Sequence, residues 1–202
     1  MKHIFITFFV FLVSASSAFA NADIQRAEQY LQSLDKLQAS FTQTYIDELN
    51  NEQILTGTFY LNRPGRLRFE FNEIDDFIVA DGFFVYFYDA EERQQSNAPI
   101  GQTLADFLLR DKIELRDDIN VSNIRKSNGY TFMTFTQTDD PQAGSLEMMF
   151  SDIPFQLQKW RVTDAQGTSV DVSLKDIKTD VSFKGGLFTY RDPFAPIGRL
   201  NE

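Results

Sequence analysis

The sequence predicts a mainly β (α+β) protein whose antiparallel sheet curls into an incompletely closed barrel, with short helices over its apolar face. Three observations lead to this prediction. Short β-like runs follow one another from about residue 40 to residue 175, turn signals separate them, and apolar residues alternate with polar ones within them. Strands do not alternate with crossover helices, so antiparallel pairing is favoured.

The first element along the chain is a targeting segment. Lys2 and His3 give it a polar start, residues 4–13 are almost entirely apolar, and an Ala-Phe-Ala site ends at residue 20. This order is typical of a secretory signal peptide. We therefore expect residues 1–20 to be removed and residues 21–202 to form a single exported domain.

Composition narrows the chemistry of the remaining chain. Removal of residues 1–20 would leave 182 residues without histidine, because His3 is the only one, and the sequence has no cysteine. Ser-His-Asp and Cys-His mechanisms and the usual zinc and copper sites need those side chains. A net charge of -10 also disfavours a nucleic-acid surface. We therefore expect no catalytic residue, no metal, no cofactor and no nucleic-acid partner.

Carboxylates are the main remaining candidates for hydrolytic chemistry. Adjacent acidic pairs occur at residues 75–76, 117–118 and 139–140, and two carboxylates at a suitable separation can cleave glycosides. Neighbours in a strand point to opposite faces, however, and Asp is common in turns because it accepts hydrogen bonds from nearby backbone N–H groups. The turn role is favoured, and an exported carboxylate-dependent hydrolase or lipid-sensing domain stays open as the alternative function.

Two segments have helical periodicity and are candidates to cover an apolar sheet face. One begins at about Asp23, where Asp23 or Asn21 can cap it, and the other runs from about residue 103 to residue 110. The apolar side chains that recur at helical spacing form the predicted lid, namely Ile24, Ala27 and Leu31 in the first segment and Leu104, Phe107 and Leu108 in the second.

Ten strands are predicted, near residues 40–48, 53–61, 66–72, 77–80, 83–88, 120–125, 130–136, 145–151, 155–163 and 168–175. In three of them one face is entirely apolar, at positions 67, 69, 71, 146, 148, 150, 170, 172 and 174. Eight of the nine positions on the opposite face are polar, which indicates a sheet with one apolar and one wet face. About ten twisted strands tend to curl.

The apolar face has two interpretations. In one, its side chains pack against one another and the helices as an ordinary core, to which the 16 Phe residues that remain after removal of residues 1–20 would contribute. In the other, the concave side holds an apolar ligand and the helices act as a lid. Composition alone does not distinguish these interpretations.

Several segments resemble the LolA family, the periplasmic carriers of outer-membrane lipoproteins in Gram-negative bacteria. They are LQASFTQ at 37–43, GTFYLNRPGRLRF at 57–69, IVADG at 78–82, YFYD at 86–89, FSD at 150–152, VTDAQG at 162–167 and LFTY at 187–190, with Leu157, Trp160 and Pro193. The resemblance implies an incompletely closed barrel of about eleven strands, with a helical lid over a cavity for acyl chains.

The resemblance also implies roles for residues and partners. Arg63 matches the family's arginine that bonds to the lid backbone and holds the empty cavity shut. The resemblance maps cavity-facing positions onto Leu67, Phe69 and Phe71. The full predicted acyl-chain cavity consists of Phe59, Leu61, Leu67, Phe69, Phe71, Val79, Phe87, Leu146, Met148, Phe150, Trp160, Val170 and Val172. The expected protein is a monomeric, non-enzymatic chaperone for lipoprotein transport. Its expected partners are acylated lipoproteins, an ATP-driven lipoprotein-releasing transporter of the inner membrane, and an outer-membrane acceptor protein or the membrane itself.

Overall fold

An eleven-stranded sheet makes up most of the structure, a computed structural model that describes residues 16–101 and 108–193, with side chains from residue 21 onward. One helix, α1 (Ser16–Ser33), precedes the sheet. The strands are β1 (Lys36–Ile46), β2 (Glu52–Asn62), β3 (Arg66–Phe71), β4 (Phe77–Asp81), β5 (Phe84–Asp89), β6 (Gln94–Pro99), β7 (Ile119–Ser127), β8 (Tyr130–Gln137), β9 (Gly144–Asp152), β10 (Phe155–Asp164) and β11 (Ser169–Lys178).

The strand order explains why the barrel stays open. It runs β6-β5-β4-β3-β2-β1-β11-β10-β9-β8-β7, and all ten neighbouring pairs are antiparallel. The two edge strands, β6 and β7, do not pair with each other, so the sheet does not close. The predicted fold, a mainly β protein with an incompletely closed antiparallel barrel and a helical cover, is confirmed.

The sequence pattern misses one strand, β6 (Gln94–Pro99). Its residues Gln-Gln-Ser-Asn-Ala-Pro lack the β-branched and aromatic side chains that mark strands. β6 pairs only with β5, from Asp89 opposite Gln94 to Phe84 opposite Pro99. An edge strand tolerates proline and polar side chains because one of its sides needs no ladder partner.

Helix α1 begins earlier than predicted, at Ser16 rather than Asp23. Its first five residues therefore belong to the predicted signal peptide, and neither Asn21 nor Asp23 caps it in this chain. The Asp23 carboxylate instead forms an ion pair with Lys126 of β7, at 2.7 Å. Within the described ranges no helix combines the length and the apolarity needed to cross a membrane.

The core lies on the face of the sheet that carries α1, which we call the inner face. Ala27 and Leu31 of α1 are fully buried there, together with Leu109, Ile113 and Leu115 from the segment before β7. We call α1 and residues 108–118 the cover. The second predicted helix falls mostly outside the described residues; Leu108 and Leu109 form a short 3-10 turn.

The outer face is not uniformly wet, so that part of the prediction is wrong. Residues 179–193, which follow β11, cross the outer face of β2 to β5. Phe183 lies against Tyr60 of β2 at 6.0 Å between ring centroids, and Tyr190 stacks on Tyr86 of β5 at 4.5 Å. On this outer face, Val79 of β4 and Tyr88 of β5 are 0% and 4% exposed, and their burial stabilises this placement of the segment.

Candidate functional site

Arg63 lies in the turn between β2 and β3 and joins two parts of the cover. Its backbone N–H donates to the Asp35 carbonyl at 2.8 Å, which holds the turn against the end of α1. Its guanidinium group donates to four backbone carbonyl oxygens, those of Leu31 (2.7 Å), Gln32 (3.4 Å), Arg110 (2.9 Å) and Asp111 (3.0 Å). One side chain therefore links the carboxyl end of α1 to the segment before β7.

The end of α1 accounts for the preference for a cation at this position. The last carbonyl groups of a helix lack partners within the helix and carry partial negative charge. Leu31 and Gln32 belong to this last turn. Burial lowers the pKa of Arg63 more than the nearby carboxylates of Asp35 and Asp111 raise it, yet an arginine keeps its charge at neutral pH.

Two further side chains of α1 tie the cover together. The Gln32 amide oxygen accepts a hydrogen bond from the Ile113 N–H, and the Glu28 carboxylate accepts one from the Leu115 N–H, both at 2.8 Å. The Gln32 amide nitrogen also donates to the Asp111 carbonyl at 3.1 Å. Sequence reasoning missed both residues, because polar side chains beside an apolar helical stripe resemble any solvated helix face.

The predicted lid residues that the structure describes all face the core. Ala27 and Leu31 are 0% and 1% exposed, and Ile24 and Leu108 are partly buried against the same cluster. Leu104 and Phe107 lie outside the described residues. Tyr30 positions α1 on the sheet. Its ring meets the rings of Phe150 and Phe155 edge-on, at 6.0 and 5.8 Å between ring centroids.

The strand register brings twelve of the thirteen predicted cavity residues to the inner face. Leu61 pairs with Leu67, and Phe59 with Phe69, across β2 and β3. The same row continues through Ile78 of β4 to Phe87 of β5. On the other half of the sheet, the row runs through Val170 and Val172, Trp160, and then Leu146, Met148 and Phe150.

The prediction for Val79 is wrong. Val79 pairs with Arg68 of β3 and Tyr86 of β5, so it lies on the outer face. It is 0% exposed, and residues 179–193 cross that part of the outer face. The run Phe-Ile-Val-Ala at 77–80 is apolar throughout, so no alternation in the sequence indicates which of its residues point inward.

The inner face has two sides that differ in exposure. The closed side comprises Met133, Phe135, Leu146, Met148 and Phe150, all 0–1% exposed. The open side comprises Leu67, Phe69, Phe71 and Val85, which are partly buried, and Phe87, which is 41% exposed. Trp160 lies between the two sides, with its ring 5.6 Å from that of Phe59 and 6.3 Å from that of Phe69.

A glycine shapes the aromatic cluster at the open side. The Phe41 ring lies 5.2 Å from Phe69 and 5.3 Å from Phe71. A Cβ atom at Gly57 would come within 2.7 Å of the Phe41 ring and 2.0 Å of the Glu70 carbonyl oxygen. Only glycine therefore lets Phe41 reach the phenyl rings of β3. The resulting surface is hydrocarbon and offers non-directional contact.

The adjacent acidic pairs have structural partners in loops. The Asp76 carboxylate accepts the Ala90 N–H at 2.9 Å, and the Asp140 carboxylate accepts the Gln142 N–H at 3.2 Å. Asp118 forms an ion pair with Arg110, whose hydrogen bonds lower the pKa of that carboxyl group despite its partial burial. The Asp140 contact is the local turn role that the sequence favoured, whereas Asp76 and Asp118 bind residues more distant in the chain.

Comparison with known proteins finds a matching family and relatives that carry the same description. Residues 32–191 match the model of the family described as outer membrane lipoprotein carrier protein LolA. An outer-membrane lipoprotein carrier protein of Methylococcus capsulatus is 25% identical over 173 residues, covering 83% of each chain. One of Legionella pneumophila is 24% identical over 187 residues, covering 90% of this chain and 92% of its own.

A likeness among solved structures supports the fold alone. A DUF1329 family protein from Desulfovibrio piger has 10% sequence identity and a TM-score of 0.51, with 84% of this chain and 96% of that chain covered. The family model covers most of the sequence, including the Arg63 turn, the inner-face strands and residues 179–191. The chain therefore belongs to the LolA family of outer membrane lipoprotein carrier proteins.

Proposed function

We propose that this protein is a non-enzymatic periplasmic carrier that binds the acyl chains of outer-membrane lipoproteins on its inner face. Membership of the LolA family, and relatives described as outer-membrane lipoprotein carrier proteins, support this class of cargo. The observation that carries the proposal is the open side, where Phe69 and Phe71 are only partly buried and Phe87 is 41% exposed.

The energetics of the cargo explain the need for such a surface. Burial of acyl chains is worth about 0.8 kcal/mol per CH₂, so one chain of roughly sixteen carbons contributes about 12 kcal/mol. A lipoprotein with two or three chains therefore does not cross water unaided. Hydrocarbon contact without directional bonds replaces the bilayer and still allows release to a more favourable apolar environment.

Arg63 acts in this proposal as the latch of the cover. Its four hydrogen bonds hold α1 against residues 110–111, and entry of acyl chains beneath the cover would break them. At about 1.5–3 kcal/mol for each hydrogen bond from a charged donor, the four bonds together contribute at most about 12 kcal/mol, whereas a cargo with two or three buried chains contributes roughly 12 kcal/mol per chain. Cargo therefore supplies enough free energy to open the latch.

The route of the cargo sets the remaining partners. A signal peptide at residues 1–20 would bring residues 21–202 to the periplasm as one domain. Loading would use an ATP-driven lipoprotein-releasing transporter of the inner membrane, since extraction from a bilayer is uphill. Delivery would run to an outer-membrane acceptor protein or to the membrane itself, with the carrier acting as a monomer.

A matched pair of variants tests the open side as the acyl-chain site. Phe87 and Phe84 lie on β5, are 41% and 39% exposed, and point to opposite faces. Spheroplasts with an active lipoprotein-releasing transporter are incubated with each protein, and soluble lipoprotein complexes are quantified. Phe87→Glu should reduce release at least tenfold, whereas Phe84→Glu should release near-normal amounts. Failure of the unsubstituted protein to release any lipoprotein would contradict the proposed function, and equal release by both variants would contradict the site.

A second experiment tests the Arg63 latch by measuring the delivery of cargo to outer-membrane vesicles. Arg63→Leu should accept cargo but deliver it poorly to outer-membrane vesicles, because the emptied carrier can no longer regain the closed cover. Arg66→Leu removes an exposed arginine from the same hairpin and serves as the control. Unimpaired delivery by Arg63→Leu would show that the latch assignment is wrong.

A further inference from the structure

We propose that the outer face carries a second binding site, which takes a phosphate group. A cavity of about 440 Å³ lies between β3, β4 and residues 184–193. The sheet contributes Arg68, Glu70 and Phe77 to its wall, and the chain after β11 contributes Lys184, Leu187 and Arg191 among others. The cavity is on the opposite face from the acyl-chain site proposed above, so it stands independently of that function.

The charge of this cavity differs in sign from that of the whole chain. Three cations and one carboxylate line it, although the protein carries a net charge of -10. Arg68 Nε donates to the Glu70 carboxylate at 2.6 Å. Within the described part of the chain, the two Nη groups of Arg68 and the side chains of Lys184 and Arg191 have neither a hydrogen bond nor an ion pair. Two positive charges are therefore left over.

Packing holds two of these cations in place. The Arg68 side chain is 19% exposed, and its guanidinium carbon lies 4.9 Å from the centroid of the Phe77 ring. Gly186 has φ +82°, and a Cβ atom there would come within 3.2 Å of the Arg191 guanidinium group. Glycine thus lets Arg191 close on this turn. Preorganised donors lose less conformational entropy when they bind an anion.

The excess charge and the wall chemistry indicate the class of ligand. A phosphate monoester carries up to two negative charges and the phosphodiester of a lipid head group carries one, and arginine donors match the oxygens of either in bidentate geometry. The cavity is larger than one phosphate group, and Phe77 and Leu187 offer apolar surface for an attached carbon skeleton. The ligand is therefore a phosphate ester, whether free in solution or at the head of a lipid.

Titration with glycerol phosphate, followed by heteronuclear NMR at the Gly185 and Gly186 amides, tests the site on the full chain. Saturable shifts are expected, with binding about tenfold weaker in Lys184→Glu and in Arg191→Glu. Lys175→Glu makes the same change of charge at an exposed position of β11 outside the cavity. It should bind like the unsubstituted protein, which controls for long-range electrostatics.

A second arm identifies the source of the phosphate. Vesicles of phosphatidylglycerol are compared with vesicles of phosphatidylcholine by co-sedimentation. Shifts with glycerol phosphate and no vesicle binding would support a free ester, whereas binding to phosphatidylglycerol that Lys184→Glu abolishes would support a lipid head group. If neither probe binds, or if Lys175→Glu loses as much affinity as Lys184→Glu, the site does not exist.

Discussion

On the closed side of the inner face Met148 and Phe150 are 0% exposed, whereas on the open side Phe69 is partly buried and Phe87 is 41% exposed. Strand β3 of the open side alternates apolar and polar residues much as β9 of the closed side does, so the strand pattern does not cause the difference. The cover does: Tyr30 and Arg26 of α1 sit directly on Phe155 at the closed side. Identical patterning thus forms a core where α1 rests on it and a partly exposed apolar surface elsewhere.

The comparison also separates two kinds of contact with the cover. At the closed side α1 is held by ring packing, by the ion pair of Asp23 with Lys126, and by the Arg26 bond to the Asp152 carbonyl at 2.9 Å. At the hairpin that leads into the open side, hydrogen bonds from Arg63 hold it. Loss of the ring packing would expose apolar surface to water, whereas the hydrogen bonds from Arg63 can be exchanged for hydrogen bonds to water.

The largest predicted effect contrasts Phe150→Ala with Phe87→Ala. Phe150 stacks on Phe155 at 4.9 Å and is fully buried, so its truncation should lower the free energy of unfolding by about 3–5 kcal/mol. Phe87→Ala should cost only about 1–2 kcal/mol, because that side chain is already 41% exposed. Urea unfolding followed by circular dichroism measures both. Equal losses would remove the distinction between the two sides.

The second prediction concerns Arg63, which links the end of α1 to the segment before β7. Arg63→Lys cannot reach four carbonyl groups with a single ammonium, and loss of the charged hydrogen bonds should lower the free energy of unfolding by about 1.5–3 kcal/mol. Hydrogen exchange at the Ile113 and Leu115 amides should accelerate, because α1 no longer holds that segment. Arg66→Lys on the same hairpin is the control. Unchanged exchange in Arg63→Lys would mean that Glu28 and Gln32 suffice to hold the cover.

The third prediction addresses the outer face behind the open side. Tyr190 stacks on Tyr86 and lies 6.0 Å from Phe77, so Tyr190→Ser should destabilise the fold by about 1–2 kcal/mol through lost ring contacts. Tyr130→Ser removes a tyrosine that is 38% exposed at the start of β8 and should cost less. Thermal unfolding compares the two. A greater loss in Tyr130→Ser would show that residues 179–193 contribute little to stability.

The smallest predicted effect concerns Asp171, on the outer face of β11. Burial raises the pKa of Asp171, but hydrogen bonds from Arg161 and Lys159 lower it further, and the net shift is downward. A carboxyl group with a lowered pKa stabilises the fold above its unfolded-state pKa, and this contribution is lost as the pH falls through the folded-state pKa. Asp171→Asn should therefore cost less than about 1 kcal/mol near neutral pH, and the difference should vanish in strong acid.

Urea unfolding over a series of pH values measures this dependence, with Asp139→Asn at an exposed position as the control. A constant difference between Asp171→Asn and the unsubstituted protein at all pH values would contradict the ionic origin of the effect. A larger loss in acid than at neutral pH would reverse its sign.

Much of the inner face follows from the strand pattern, and the exceptions have physical causes. In β9 and β11 alternation, broken only at Met149, assigns Leu146, Met148 and Val172 to the inner face correctly, because a shift by one residue would expose the apolar set. Alternation fails at Val79, where four apolar residues in a row satisfy either face. It also fails at β6, whose polar residues form a strand only because the edge of β5 supplies backbone hydrogen-bond partners.

The sequence by itself determined the antiparallel sheet, its apolar inner face and the likeness at Arg63 to a known family, since these depend on local periodicity and short motifs. Tertiary structure decided which part of the apolar face is covered by α1, which carbonyl groups Arg63 reaches, and that residues 179–193 cross the outer face. These features join residues far apart in the chain, such as Arg63 with Asp111 and Tyr86 with Tyr190. Such contacts depend on how the elements pack in space, and no local pattern encodes that packing.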